Sequence, residues 1–414
     1  MIFQKLAAKA SATYREYPRP FWIQTLVIFI DRIGGSLLFP FFALYITSRF
    51  NVGMTEVGIL FAIWSLSSFI GSALGGAITD RIGRRKMIIF SLVSTSLSAV
   101  VMGLVNDLQT FYVVAFIQGI FTESGSPAYQ AMTADLLPVE KRTSGFGIIR
   151  VAFNVSAAIG PAVGGFIATR SYLVLFLADA IISLITAVIA YRYLPESMPP
   201  PHPDAKHVSL GGTFLGYLDV FRDRLFLLYI SACILLGLVY MNLNTTLGVY
   251  LRDSQGIPSS GYGMLLTLNA VMVVLMQFWI TRRIERRPPM LMMALGMALT
   301  MVGFLLFGFD GDYPLFILAM AILTIGEMVW APVESTLVAM FAPEHMRGRY
   351  MAVFGFSWSI PFAAGPYLAG LVMDNLDPHL IWYICGVIGI MGTFYFMTLN
   401  KPAMKRQAII SVNE

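Results

Sequence analysis

The stretch GAITDRIGRRK, residues 76–86, lies between two long apolar segments and carries the clearest repeat signal in the chain. Its charged pair Asp80-Arg81 recurs as Glu285-Arg286, 205 residues further along. Proline and charge are poorly tolerated inside an apolar helix, so their coincidence does not follow from apolar composition. We infer a duplication of one unit in which both copies keep the same orientation. The same shift superimposes Pro127 on Pro332, Pro138 on Pro343, Arg142 on Arg347, Gly160-Pro161 on Gly365-Pro366, and Gly165 on Gly370.

The composition is that of a membrane protein. Of 414 residues, 57% are hydrophobic and only 12% are charged, and the mean hydropathy is +0.73. A water-soluble domain carries roughly 25% charged residues, and a helix needs about 20 apolar residues to cross a bilayer. The sequence predicts an all-α integral membrane fold of twelve transmembrane helices in two six-helix, pseudo-symmetric bundles. The twelve predicted spans begin near Trp22, Val57, Met87, Thr110, Gly145, Tyr172, Leu225, Tyr262, Met290, Leu315, Met351 and Leu380.

A polar linker separates the two predicted bundles. Four prolines fall between Pro199 and Pro203, and they interrupt any helix and stiffen the connection. We therefore predict an N-terminal bundle over residues 1–193, a cytoplasmic linker over residues 194–218 and a C-terminal bundle over residues 219–414.

The basic residues predict the orientation of the chain. If the N-terminus is cytoplasmic, the inside segments hold 23 of the 28 Lys and Arg residues, and the outside loops hold only Arg49, Arg170 and Arg252. Inside loops carry such an excess, so both termini are predicted to be cytoplasmic. The net charge of +5 is then a topology signal, and no nucleic-acid partner is expected. The basic N-terminus continues directly into the first span, which we interpret as retained rather than as a removed signal peptide.

Several kinds of chemistry have no counterpart in the sequence. Cys233 and Cys385 both fall in apolar spans, with no metal-ligand spacing and no disulfide framework. The sequence has no GxxxxGK[ST] phosphate-binding loop, so ATP is not the energy source. It also shows no arrangement of nucleophile, base and orienting residue. We therefore predict no enzymatic activity, no cofactor and no metal.

The string from Gly76 to Lys86 resembles the loop signature of the major facilitator superfamily. Glu285-Arg286 stands where that family carries a weaker second copy. In the family, the acid and its arginine latch the two halves together and close the inner gate, so the resemblance implies a gating role rather than substrate contact. The cations from Arg84 to Lys86, taken alone, are equally consistent with the positive-inside rule. The resemblance extends the gating role to Gly76, Asp80, Arg81, Gly83, Arg84, Glu285 and Arg286.

A second string, AAIGPAVGG at residues 157–165, resembles the antiporter signature of the drug:proton exporters in the same superfamily. In those exporters it marks a bend in the fifth helix that helps to select exchange. The resemblance implies that role for Gly160, Pro161, Gly164 and Gly165. The alternative is close helix packing, for which glycine is common in membrane helices.

One feature of the exporters is missing. They usually carry an arginine in the fourth helix, three residues before a Gln-Gly pair, but Ala115 precedes Gln118-Gly119 here. The proton-relay role of that arginine therefore cannot be transferred, and Arg150 or Arg32 is a conjectural substitute.

Ionisable side chains within the predicted spans are costly and usually functional. Asp31 lies roughly 14 Å along the first span at ~1.5 Å per residue, and Glu123 and Glu327 are similarly deep. Such carboxyls can exchange protons, while a cationic substrate would compete for the ionised form. The alternative is a structural pairing between helices, which we prefer for Asp179 because the sixth helix is peripheral in this fold. The predicted proton-coupling and substrate-binding residues are Asp31, Arg32, Glu123, Glu327, Glu334, Arg150, Gln130, Tyr240 and Asn244.

These observations indicate a secondary active transporter that works by alternating access, with its site where two parallel repeats meet. The leading hypothesis is proton-coupled efflux of small amphipathic compounds across the cell (inner or plasma) membrane. The expected partners are a small-molecule substrate, protons and the lipid bilayer, with the monomer as the functional unit. The alternatives are a proton-coupled transporter of a defined metabolite such as a sugar, a lipid flippase, and a non-transporting membrane sensor.

Overall fold

The computed structural model describes residues 14–198, 220–343 and 346–413. The predicted linker therefore lies mostly outside the described residues. The first half of the chain contains α1 (Arg19–Leu38), a 3-10 turn (Phe39–Phe41), α2 (Phe42–Phe50), α3 (Met54–Ile82), α4 (Arg84–Leu104), α5 (Leu108–Glu123), α6 (Ser126–Leu136), α7 (Val139–Ala168) and α8 (Tyr172–Tyr193). The second half contains α9 (Arg224–Tyr240), α10 (Asn242–Thr245), α11 (Leu247–Asp253), α12 (Ser259–Ile284), α13 (Pro289–Phe307), α14 (Tyr313–Phe341), α15 (Arg347–Phe354), α16 (Phe356–Asn375) and α17 (Leu380–Asn413).

The helices confirm the predicted all-α membrane class. Within the described residues, ten helical stretches are long and apolar enough to cross a membrane. The other two predicted spans, near Thr110 and Met351, are each built from two consecutive helices. The first breaks between α5 and α6, where Pro127 lies in the first turn of α6 and has no amide hydrogen to continue the preceding helix. The second breaks at Gly355, between α15 and α16.

The described chain divides into two compact units, the first formed by residues 14–40 and 63–198. In this unit α1 packs against α7 and α8, and α4 packs against α5 and α8. Close approach depends on glycine. A Cβ added at Gly71 or Gly75 of α3 would lie 2.2 Å from the carbonyl oxygen of Ile120 or Ser124. Because lipid tails are as apolar as a helix core, such small-residue contacts hold membrane helices together by van der Waals packing.

The second unit contains residues 41–62, 220–343 and 346–413. Here α13 packs against α14 and α17, and α9 packs against α16 and α17. Glycine again allows the contact, since a Cβ at Gly296 would lie 2.7 Å from that of Trp330. The ring of Trp382 is fully buried and stacks on Phe304 with centroids 5.8 Å apart.

Residues 41–62 belong by their contacts to the second unit, although they precede most of the first unit in sequence. The carboxylate of Asp374, near the end of α16, accepts hydrogen bonds from the backbone amides of Met54 (2.8 Å) and Thr55 (2.7 Å). A Cβ at Gly58 would lie 2.2 Å from the Cα of Tyr367. The start of α3 is thus capped and closely packed by α16. The predicted bundle boundaries at residues 193 and 219 stay a prediction.

Candidate functional site: a charged cavity in the first unit

A cavity of about 330 Å³ lies among α1, α6 and α7 of the first unit. Four residues of the predicted site line it: Asp31, Arg32, Gln130 and Arg150. Ser126, Tyr129 and Thr133 add hydroxyl groups to the wall, and Phe146 and Phe153 add aromatic rings. The cavity therefore combines an acid, two guanidinium groups and an amide with an apolar surface.

Helical periodicity brings these side chains together. On α1 the lining residues are Ile28, Asp31 and Arg32, at positions i, i+3 and i+4. Those of α6 (126, 129, 130 and 133) and of α7 (146, 149, 150 and 153) repeat the same spacing. Residues three and four apart occupy one face of an α-helix, so each helix presents a single face to the cavity. The Arg32 guanidinium carbon lies 4.8 Å from the centre of the Phe153 ring, which favours a cation–π contact.

A glutamine that the sequence did not single out fixes the α6 wall of the cavity. Gln24 of α1 is fully buried, and its side-chain amide donates to the carbonyl of Tyr129 (2.7 Å) and to the hydroxyl of Thr133 (2.9 Å). Leaving a buried amide unpaired costs about 1–3 kcal/mol, so this pair of bonds fixes α6 against α1. A neutral Gln in an apolar span gives no sequence signal of this role.

Glu123 lies beside the cavity rather than in its wall. It is the last residue of α5, and its half-buried carboxyl lies within electrostatic range of Arg32 and Asp31. The structure thus brings five predicted residues of the first unit into one electrostatic neighbourhood.

A second cluster of predicted residues forms within the second unit around Glu327 of α14. The Glu327 carboxylate accepts a hydrogen bond of 2.7 Å from the Asn269 amide, and the Tyr240 hydroxyl lies against it. The Tyr240 ring packs nearly perpendicular to Trp330 (5.2 Å, 81°) and Trp358 (6.1 Å, 89°). A half-buried carboxylate beside a tyrosine on which two tryptophan rings pack has the chemistry to hold an organic cation. Asn269, Trp330 and Trp358 were not predicted.

The remaining predicted residues of the second unit lie elsewhere. Glu334 is 95% buried and lies beside Cys233 and Tyr229, whose hydroxyl donates to the Glu334 backbone carbonyl at 2.7 Å. Asn244 is half-buried in the one-turn helix α10. The roles proposed for Glu334 and Asn244 stay predictions.

The loop after α3 is held by a glutamate that the sequence did not indicate. Glu196 accepts hydrogen bonds from the backbone amides of Arg84 (2.9 Å) and Arg85 (3.2 Å), and so caps the start of α4. Gly83 has a φ of 99°, and a Cβ there would lie 2.4 Å from the Glu196 carboxylate. Positive φ and this close approach both require glycine.

The charged residues of the same loop form a local cluster. The Arg84 side chain donates to Asp135 at 3.0 Å and lies 3.4 Å from Asp80. Arg81 is exposed, as are Glu285 and Arg286 in the corresponding loop of the second unit. Gly76 faces Pro127, at 3.9 Å from where its Cβ would stand. The gating role of these residues stays a prediction.

The GPAVGG string forms a tight helix contact. Helix α7 continues from Val139 to Ala168 with Pro161 inside it. A Cβ at Gly160 would lie 2.3 Å from the Ser36 hydroxyl oxygen, so α1 and α7 nearly touch. Ser36 donates to the Ser156 carbonyl (2.9 Å), and Ser156 donates to the Phe29 carbonyl (3.0 Å). Gly164 and Gly165 are buried in the same helix.

Comparison with known proteins places the chain in a family. The sequence model of the Major Facilitator Superfamily matches residues 25–366 and 329–411. The chain belongs to the major facilitator superfamily. It is therefore a multi-pass membrane transporter and not an enzyme, as the sequence predicted.

Among its relatives, an MFS-type transporter of Bacillus subtilis, YttB, is 31% identical, with 86% of this chain and 89% of that protein covered. A Na⁺, Li⁺, K⁺/H⁺ antiporter of Planococcus maritimus is 26% identical, with 84% and 88% covered. Multidrug resistance protein 2 of Bacillus subtilis is 24% identical, with 88% and 91% covered. The superfamily resemblance, including its antiporter and multidrug members, is thereby confirmed.

A solved structure shares the fold. The nucleoside transporter NupG superimposes with a TM-score of 0.77 over 92% of this chain and all of that one, at 14% sequence identity. At this identity the likeness establishes the fold alone.

Proposed function

We propose that this transporter exports small amphipathic compounds in exchange for protons. In this proposal it lies in the plasma membrane with both termini in the cytoplasm. The observation that supports it best is the cavity of the first unit, where Asp31 stands among Arg32, Gln130 and Arg150. Such a site holds one group that can bind a proton and several that can bind a solute.

Asp31 is the proposed coupling residue. Removing a carboxylate from water favours its neutral form, whereas neighbouring guanidinium groups favour the ionised form. Because these effects oppose one another, small changes in hydration or solute occupancy can move the proton on or off Asp31. This is the property that exchange requires, since the proton must leave when the solute arrives.

The Glu327 cluster is the proposed contact for the cationic part of a substrate. Its carboxylate supplies a negative charge, and the rings of Tyr240, Trp330 and Trp358 supply electron-rich faces. A cation–π contact contributes about 0.5–2 kcal/mol, depending on desolvation. The relatives include a multidrug resistance protein and a cation/proton antiporter, which is compatible with this assignment.

The alternative of a defined metabolite is favoured by one observation. Two arginines, Arg32 and Arg150, line the same cavity as Asp31. Guanidinium groups bind carboxylate and phosphate in a bidentate manner. A solute carrying a carboxylate would fit such a wall better than a simple cation.

The decisive experiment is substrate-driven proton movement in proteoliposomes that contain a pH-sensitive dye. For exchange, we expect tetraphenylphosphonium or ethidium to drive proton movement in the opposite direction. We expect Asp31→Asn combined with Glu123→Gln to reduce the coupled flux at least about tenfold, a loss of ~1.4 kcal/mol. Asp312→Asn is the control, because Asp312 is exposed and its side chain caps no helix.

The outcomes separate the two proposals. Flux that is unchanged in the doubly substituted protein would contradict proton coupling at Asp31 and Glu123. Movement of a carboxylate-bearing metabolite but of no organic cation, together with loss of that movement in Arg150→Gln, would support the metabolite alternative instead.

A further inference from the structure

A second buried acid, Asp179, lies near Asp31 in the first unit. Asp179 of α8 is 95% buried and packs on Gly34, one helical turn after Asp31 on α1. A Cβ at Gly34 would lie 2.5 Å from the Asp179 carboxylate oxygen and 3.5 Å from its Cα. Gly34 thus provides the space that the carboxyl occupies. Asp179 and Asp31 lie within electrostatic range of each other.

Within the ranges that the structure describes, Asp179 has no counter-charge that would make it part of a structural ion pair. Among the described residues, its carboxyl forms neither a hydrogen bond nor a salt bridge. Helix α4, which packs on the same part of α8, contributes the neutral Ser96, whose hydroxyl donates to the Ala180 carbonyl at 2.8 Å. The charged residues of α4 lie in its first turn, which begins at Arg84. In the part of the chain that the structure describes, the charged group that interacts with Asp179 is the carboxyl of Asp31. Arg32 of α1 and Glu123 of α5 act on Asp31, and Arg150 of α7 lines the same cavity.

Ser183 supplies an independent indication of a site. It lies one turn beyond Asp179 on α8 and is fully buried. Its hydroxyl faces the Asp31 carboxyl, yet it forms no closed hydrogen bond within the described part of the chain. A buried hydroxyl without a hydrogen-bond partner is uncommon. A hydroxyl in this place can donate to an ionised carboxylate and can accept from a protonated one.

We propose that Asp31, Asp179 and Ser183 form a dicarboxyl site between α1 and α8 that retains one proton. Two carboxylates in an apolar environment cannot both be charged without large cost, so the pair keeps a proton that either acid can carry. Asp31 lines the cavity and exchanges protons with it, while Asp179 is sequestered behind it and retains the proton after Asp31 ionises. No net charge is created when the proton moves from one carboxyl to the other. The inference rests on the proposed proton coupling, and it adds Asp179 of α8 as a second proton carrier.

Infrared spectroscopy of the purified protein in lipid tests the site without any transported solute. The signal is the C=O stretch of protonated carboxyl groups, recorded at neutral pH and assigned by exchange into D₂O. We expect wild type to show a band at the frequency of a carboxyl that shares its proton with a second acid. This band should disappear in both Asp31→Asn and Asp179→Asn, because the acid left in either variant has no second carboxyl with which to share the proton. Asp179→Glu should restore the band at a shifted frequency.

Two glycines provide a matched geometric control. Gly34→Ala places a methyl group where the Asp179 carboxyl stands and should also remove the band. Gly35→Ala should leave it unchanged, since an added Cβ at that position meets no atom within 4 Å.

Two results would overturn the inference. A band that persists in Asp179→Asn, in a protein whose thermal stability falls, would show a merely structural residue and overturn the inference. A band that responds to Na⁺ but not to pH would show a metal-cation site and also overturn it. The infrared measurement uses no substrate, so a negative result would contradict the dicarboxyl site without contradicting proton exchange. A negative result in the flux experiment would contradict proton exchange without changing this band.

Discussion

At the scale of single residues, the loop between α3 and α4 shows how a charged motif depends on one glycine. Glu196 caps α4 only because Gly83 leaves room for its carboxylate. An acid at a helix N-terminus satisfies free amide groups and interacts favourably with the helix dipole. The same turn brings Arg84 between Asp80 and Asp135. Gly83 therefore acts through geometry, whereas the charged residues of the motif act through electrostatics.

We expect Gly83→Ala to destabilise the protein by about 1–3 kcal/mol, combining the cost of a positive φ with displacement of the Glu196 cap. Thermal unfolding in detergent, followed by tryptophan fluorescence, measures the effect. Gly256→Ala is the matched control: its φ is 65°, and an added Cβ there meets no atom within 4 Å. Equal losses in the two variants would mean that the Glu196 contact contributes nothing.

Some residues of the site could be predicted from the sequence and others could not. Asp31, Arg32 and Arg150 could be predicted because charge inside an apolar span is conspicuous. Asn269 and Trp358 could not, because neutral polar and aromatic side chains are common in membrane helices and only tertiary packing selects among them. Asp179 was visible, but its place on the sixth predicted span suggested a structural role. The contact between Asp179 and Gly34, which brings Asp179 near Asp31, could not be predicted from the sequence.

At the scale of helices, the GPAVGG string combines a bend signature with a close contact. Gly160 meets Ser36 on α1, which also carries Asp31 and Arg32, so the α1–α7 contact helps to set the width of the cavity. The predicted bend and the packing alternative are therefore compatible, since small residues allow α7 to approach α1 while Pro161 removes one backbone hydrogen bond.

We expect Gly160→Ala to cost about 1–3 kcal/mol of stability through overpacking and to reduce transport by widening the α1–α7 contact. Proteoliposome flux and thermal unfolding should be measured on the same preparation. Gly147→Ala in the same helix is the control, because its added Cβ meets no atom within 4 Å. Full transport in Gly160→Ala would show that the cavity does not depend on this contact.

A different set of contacts joins three loops of the second unit. His379 contacts Asp310 (3.0 Å) through Nε2 and Asp377 (2.7 Å) through Nδ1. The amide of Gln255 also donates to Asp310 at 3.0 Å. Burial lowers the pKa of His379, but its hydrogen bonds and charge interactions with Asp377 and Asp310 outweigh burial and raise the pKa above 6.5. Hydrogen bonds from Gln255 and His379 lower the pKa of Asp310, and those from the backbone and side chain of His379 lower that of Asp377.

The sign of the pH dependence follows from these shifts. Because the pKa of His379 is higher in the folded state, its stabilisation is fully present below pH 6.5 and is lost as the pH rises through the raised value. The two aspartates have lowered values and stay ionised throughout this window. We expect the unfolding temperature of wild type to fall relative to His379→Gln as the pH rises from about 6 to about 9. Parallel pH profiles for the two proteins would contradict this contribution.

At the scale of the whole molecule, the repeat separates shared scaffold from specialised chemistry. The positions shared after a shift of 205 residues are prolines, glycines and loop charges, which set helix ends and contacts in both halves. Asp31 and Glu123 meet Leu236 and Met328 under this shift, and Glu327 meets Thr122. The first unit accordingly carries Asp31 in the cavity and Glu123 beside it, and the second carries Glu327 beside Tyr240.

The repeat could not predict that residues 41–62 pack with the second unit. That packing depends on Gly58 and Gly370, where added Cβ atoms would lie 2.2 and 2.4 Å from neighbouring backbone. A glycine in a membrane span indicates only that some neighbour comes close, and the neighbour is determined by tertiary structure.

The orientation of the whole chain can be tested with cysteine labelling, because the native thiols offer little background. Cys233 and Cys385 are free and each only 1% exposed, so a membrane-impermeant maleimide should leave wild type in intact cells nearly unlabelled. The positive-inside distribution places Gly311 outside and Arg287 inside, and both positions are exposed. We expect Gly311→Cys to react in intact cells and Arg287→Cys to react only after permeabilisation. Labelling in the reverse order would place both termini outside and would reverse the proposed direction of export.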